Sequence, residues 1–182
     1  MGLLDFLKNL TPLVRRAAGA FDRARRAERN GNYEKARESY RKASDLYRQA
    51  QDQGSAPVLR DRLKAGISCV RSGRNEEGLE WLGPVIESGR YASEARLHAG
   101  SAHAKLGDAE AAAAHWEAYP ADPVQGIIGN ALKEQVRNLR SGASPQEACE
   151  AVAAAWNRQD QHDRRMEGDR EQRHDLERRR GF

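Results

Sequence analysis

Four glycines recur along the chain, each followed by a small residue and then by a larger apolar one. Gly31 precedes Ala36 and Tyr40, Gly73 precedes Gly78 and Leu82, Gly107 precedes Ala112 and Trp116, and Gly142 precedes Ala148 and Val152. The intervals between the glycines are 42, 34 and 35 residues. A fixed spacing near 34 is that of stacked helix–turn–helix units. The first interval is longer because QDQGSAP, Gln51 to Pro57, inserts a loop of turn formers. No other feature limits the fold as strongly, since such units bury their apolar faces only by stacking on one another.

Each anchor glycine stands between two segments of helical period. Before it come Leu13, Ala17, Phe21 and Ala24; Leu59, Leu63, Ile67 and Val70; Ala95, Leu97, Gly100 and Ala104; and Ile128, Leu132, Val136 and Leu139. The sets follow i, i+3, i+4 spacing, apart from the two-residue step from Ala95 to Leu97. Helix starts are marked by Ser144-Pro145-Gln146-Glu147 and Asp122-Pro123-Val124-Gln125, capping boxes with proline at the first helical position. Asn32, Asn75 and Asp108 are expected to cap the second helix of their pairs. A tight antiparallel pair needs a near-absent side chain at its closest approach, which Ala36, Gly78, Ala112 and Ala148 provide. The larger residue one turn later fills the wider space beside it.

Composition agrees. Alanine and arginine are abundant and β-branched residues sparse, which favours helix. Hydrophobic residues are 38% and charged residues 32%, with mean hydropathy −0.89, suiting thin helical layers rather than one large core. The net charge of +4 comes from 31 basic and 27 acidic residues, too even a balance to indicate nucleic acid. Cys69 and Cys149 lie inside helical patterns without metal spacing and read as small buried thiols of a reducing compartment. No signal peptide or apolar span appears, and Phe6 breaks the myristoylation pattern, so the expected location is cytoplasmic.

The stretches NGNYEKARESYRKASDLY and AKLGDAEAAAAHWEAYP make the chain resemble the tetratricopeptide repeat (TPR) family, over roughly Leu13 to Trp156. The match is strong in the first and third units and weak in the second, where Gly78 and Pro84 depart from the pattern and Pro84 is expected to kink or shorten the helix. The fourth unit is marginal. The resemblance implies an all-α, right-handed superhelical array with a concave groove lined by first helices. Its groove residues here would include Phe21, Arg25, Arg29, Lys64, Ile67, Arg71, His98, Ser101 and Lys105. Phe21 and Arg25 stand where a chaperone carboxylate clamp carries Lys and Asn, which argues against that ligand. Arg29, Arg71, Lys105 and Arg140 each stand two residues before an anchor. They read first as cations complementing helix C-termini, worth ~0.3–1 kcal/mol each, and second as an electropositive ledge.

A search for catalytic chemistry is negative. His98, His103, His115, His162 and His174 include no i, i+4 pair, and no H-E-x-x-H, Walker loop, G-x-G-x-x-G or G-x-S-x-G occurs. At the N-terminus, Leu3, Leu4, Phe6, Leu7 and Leu10 share one face of an amphipathic helix that also takes in Leu13 and Val14, with a helix boundary expected near Pro12. Capping the open end of the array is the first reading of this helix, docking on a partner or second copy the next, and contact with a membrane surface is not favoured. Asn157 to Phe182 is nearly all charge, with acid-first pairs such as Asp160–Arg164, and reads as a solvated helix or a disordered tail.

Three segments are therefore expected: an N-terminal helix over 1–11, a TPR-like array over 12–156 and a charged tail over 157–182. The expected function is a non-catalytic adaptor or scaffold, needing no cofactor or metal, that binds a peptide or helix of another protein, acidic in character, in the groove. The alternative is a self-assembling component whose N-terminal helix docks on another copy or on a membrane surface.

Overall fold

A computed structural model describes the backbone of residues 3–120 and 126–179, and side chains over 13–120, 126–168 and Arg178. Among the described residues there are eight helices and no strand. They are α1 (Leu3–Arg29), α2 (Tyr33–Asp52), α3 (Leu59–Ser72), α4 (Asn75–Glu87), α5 (Ala92–Lys105), α6 (Ala109–Glu117), α7 (Gly126–Arg140) and α8 (Pro145–Arg179).

The four anchor glycines end four helices in one way. Their φ angles are +73° at Gly31, +93° at Gly73, +85° at Gly107 and +88° at Gly142, where a Cβ would cost roughly 1–2 kcal/mol. At each, two backbone amides close the same pair of bonds onto the last turn. Gly31 N donates to Glu28 O and Asn32 N to Ala27 O; Gly73 N to Val70 O and Arg74 N to Cys69 O; Gly107 N to Ala104 O and Asp108 N to His103 O; Gly142 N to Leu139 O and Ala143 N to Asn138 O. This is the Schellman arrangement, repeated four times.

The helix that follows is capped as expected in three of the four units. Lys35 N donates to Asn32 Oδ1 at 3.1 Å, Ala111 N to Asp108 Oδ1 at 3.0 Å, and Glu147 N to Ser144 Oγ at 3.4 Å. In the second unit the cap is Arg74, not Asn75, and no side chain closes it. The cap directly follows the glycine there, as at Gly31 and Gly107, so Asn75, one position further on, is already inside the helix with a buried Oδ1 that lacks a partner. Arg74 instead reaches across to Asp45 and Glu77.

Small residues mark the closest helix approaches. A Cβ on Gly66 would meet Leu82 Cγ at 2.6 Å, and one on Gly78 would meet Val70 Cγ2 at 2.6 Å. Each would also stand 3.2 Å from the other glycine's carbonyl oxygen, so α3 and α4 touch backbone to backbone. Gly100 leaves room for Trp116, whose indole N–H donates to Leu97 O at 3.2 Å. Ala36, Ala112 and Ala148 are all buried, as are Tyr40, Leu82, Trp116 and Val152.

Consecutive helices pack in pairs, α1 on α2, α3 on α4, α5 on α6 and α7 on α8, and each pair also touches the next. Alternate helices meet as well, α1 with α3 and α3 with α5. The core has two parts. One runs from α1 to α5, around Tyr40, Tyr47, Ile67 and Leu82, and the other from α5 to α8, around Trp116, Ile128, Leu132 and Val152.

The two long helices depart from the expected segmentation. α1 is continuous through Pro12, so no helix boundary falls there; the side chains of Leu3, Leu4, Phe6, Leu7 and Leu10 lie outside the described residues, as does the Asp122 capping box. α4 runs on through Pro84 and stops at Glu87. α8 continues without a break past Trp156, and it packs on α5 as well as on α7. The segment from Asn157 is helical to Arg179, one of the two expected readings, but the expectation that it buries almost nothing is corrected at Gln159. Its side chain is buried, and Gln159 Oε1 accepts from the amides of Ile127 and Ile128 at 3.0 and 3.4 Å, closing the open start of α7. The expected Asp160–Arg164 pair forms at 2.8 Å.

Candidate functional site

The expected groove residues lie on α1, α3 and α5, and α8 lies against several of them. Trp156 is the centre of this contact. Its ring meets the edge of the His98 imidazole at a centroid distance of 6.1 Å, and the Arg25 guanidinium sits 5.4 Å from its centroid on the other helix. Cation and indole attract through the ring quadrupole. One turn on, Asp160 stands 4.0 Å from Arg25. Two turns back, Cys149 Sγ donates to the Ser101 carbonyl at 3.7 Å. Cys149, Val152, Ala153 and Trp156 thus form the stripe of α8 that faces Val70, Arg71, Leu97, His98, Ser101 and Lys105 around a small cavity of about 40 Å³.

The remaining expected groove residues are placed differently. Ile67 is 1% exposed and belongs to the core, where it offers a partner no surface. Phe21 is buried edge-on against Tyr40 at 5.9 Å, and Lys64 covers it with Nζ 5.2 Å from the ring while pairing with Asp22 at 3.3 Å. Arg29 is exposed, at the edge of a hollow of about 100 Å³ between the end of α1 and α8.

The basic residues before the anchors tie helices together. Arg71 of α3 reaches Glu28 of α1 at 3.1 Å, and Glu28 also accepts the Tyr40 hydroxyl at 2.8 Å. Lys105 of α5 is exposed as a residue, yet its Nζ donates to Val70 O of α3 at 3.1 Å. Arg140 pairs with Glu117 at 2.6 Å. Three of the four cations therefore bridge neighbouring elements, a use that neither the helix-dipole reading nor the open-ledge reading contains.

Burial sets the protonation of this region. Desolvation, reinforced by Arg71, Arg25 and Lys105, drives the His98 pKa well below the ordinary 6.5, so the ring is neutral. Desolvation also lowers Lys105, with Arg71 and Arg37 adding to the effect. Glu94 is raised by burial against the opposing pull of Arg25. The thiols of Cys69 and Cys149 are both pushed up by burial, which keeps them as protonated, poor nucleophiles.

No family model, curated protein or solved structure matches the chain. The TPR resemblance therefore rests on the residues alone. Among the described residues no group of three His, Cys, Asp or Glu side chains is placed to hold a metal ion, and no helix is long and apolar enough to cross a membrane.

Two groupings escape a reading of the sequence. His103 and His115 stack across the α5–α6 turn at 5.2 Å, twelve positions apart, and no helical spacing reports such a pair. The docking stripe of α8 does leave a trace. Cys149, Val152, Trp156 and Gln159 keep 3–4 spacing past the last repeat position, into the segment that charge alone marks as solvated.

Proposed function

We propose that the protein is a non-catalytic adaptor or scaffold of TPR-like architecture, and that the face built by α1, α3 and α5 is its partner-binding surface. The observation that supports this reading is the seating of a helix on that face. α8 lays Cys149, Val152 and Trp156 on it and adds an acid, Asp160, for Arg25. A surface that holds one amphipathic helix through an aromatic anchor and an acidic residue one turn on suits a partner segment of the same chemistry. In this arrangement α8 is the occupant supplied by the chain itself, and a partner helix competes with it.

The test is competitive capture. Trp156→Ala loosens α8 and should increase recovery of a partner protein relative to the parent chain, whereas Trp156→Ala combined with Lys64→Glu and Arg71→Glu should abolish it. Equal recovery by all three chains would place binding elsewhere. Light scattering of the same samples separates the alternative, self-assembly, which gives a mass above the monomer with no second protein.

A further inference from the structure

We propose that the cavity between α3, α5 and α8 is a binding site for a small monovalent anion of halide or formate size. The argument begins with donors left over. Arg71 Nε and His98 Nε2 are both buried and have no hydrogen-bond partner, and both residues line this cavity. His98 is 2% exposed. Lys105, also on the cavity wall, uses Nζ for a single bond to Val70 O and has two further N–H groups. In the Nε2–H tautomer of His98, all three side chains are donors.

The acids nearby are already engaged. Glu28 is held by Tyr40, Arg71 and Arg25. Asp160 is held by Arg25 and by Arg164. Around Lys105, Arg71 and Arg37 act against the opposing pull of Cys149 and Glu28, so cations outnumber the one ionised acid, Glu28, an excess of positive charge. A buried donor without a partner is destabilising, more so when it is charged, and a cavity whose wall presents such donors favours an anion over an empty space. The lowered pKa values of His98 and Lys105 agree with this excess.

Size narrows the ligand. About 40 Å³ is well above the roughly 10–15 Å³ that one water needs, yet far short of the ~300 Å³ at which pockets for drug-sized ligands begin. Val70, Leu97, Val152 and Trp156 make the rest of the wall apolar, which strengthens charge attraction by excluding water. This site is independent of the partner-binding reading, since it requires only that α8 be seated.

The test uses the full chain. Crystals grown in sodium bromide should show an anomalous peak within hydrogen-bond distance of Arg71 Nε and Lys105 Nζ. In solution, sodium formate should raise the melting temperature above that in sodium gluconate, too large an anion for the cavity, at equal ionic strength and along a one-site saturation curve. Lys105→Met keeps the stem and removes the charge, and should abolish the difference between the two salts. Ordered water without a bromide peak, or an equal response to formate in Lys105→Met, would overturn the proposal. Should Lys105→Met fail to fold, the bromide map of the parent chain decides.

Discussion

The guanidinium of Arg25 lies 5.4 Å from the centre of the Trp156 ring, so a side chain of the first helix closes against one of the last. The Arg25–Asp160 pair, at 4.0 Å, joins the same two helices one turn further along α8. Trp156→Ala should cost about 2–3 kcal/mol, less than the ~3–5 kcal/mol of a fully buried tryptophan because its ring is only half-buried. Hydrogen exchange should show the amides of α8 from Cys149 onward losing protection while those of α2 and α3 keep theirs. Uniform loss throughout would mean that α8 does not open as a separate unit.

The glycines of the α3–α4 contact separate packing from helix propensity. Gly78→Ala should destabilise by ~1–3 kcal/mol, because its Cβ would meet both Val70 and the Gly66 carbonyl. Gly129→Ala should stabilise by about 1 kcal/mol, since its Cβ would meet nothing within 4 Å and alanine favours the helix. Thermal melts of the two variants should move in opposite directions.

Two buried tyrosines of α2 give a second contrast. The Tyr40 hydroxyl donates to Glu28, whereas the Tyr47 hydroxyl is buried without a partner. Tyr40→Phe should therefore cost roughly 1.5–3 kcal/mol, as for a hydrogen bond to a charged group, and Tyr47→Phe should be neutral or stabilising. Urea titration of both variants checks the difference.

Truncation before Asn157 should lower stability measurably, because it removes the Gln159 cap of α7 and the Asp160 partner of Arg25. Gln159→Ala alone should cost about 1–3 kcal/mol as two amides at the start of α7 lose their acceptor. A variant that melts with the parent would show that water replaces Gln159 without loss.

Stability should fall as pH drops below about 6.5. The His98 pKa is depressed in the folded chain, so below the ordinary imidazole value of 6.5 the unfolded state takes up a proton that the folded state refuses. His115, lowered by burial and then by His103, adds to the same slope. Above 6.5 neither histidine titrates and the slope from them vanishes. His98→Phe should reduce the acid slope by about one proton, measured as melting temperature against pH between about 6.5 and 4.5.

Most helices and the four glycine turns were legible in residue spacing, because the signals there are local. A glycine at positive φ and a polar cap such as Asn32 or Asp108 act within a few residues, so spacing alone reveals them. The buried stripes from Leu13 to Leu139 followed from 3.6-residue periodicity for the same reason. The seat of α8 was not legible in that way. Its apolar stripe is narrow, and its seat is assembled from Arg25, Arg71 and His98 on three separate helices, so no window of sequence contains both partners. Tertiary structure likewise turned the basic residues inward. Whether Arg71 faces solvent or Glu28 depends on how α3 lies on α1, and that packing is settled by contacts of α1, α2 and α3 acting together rather than by any one residue.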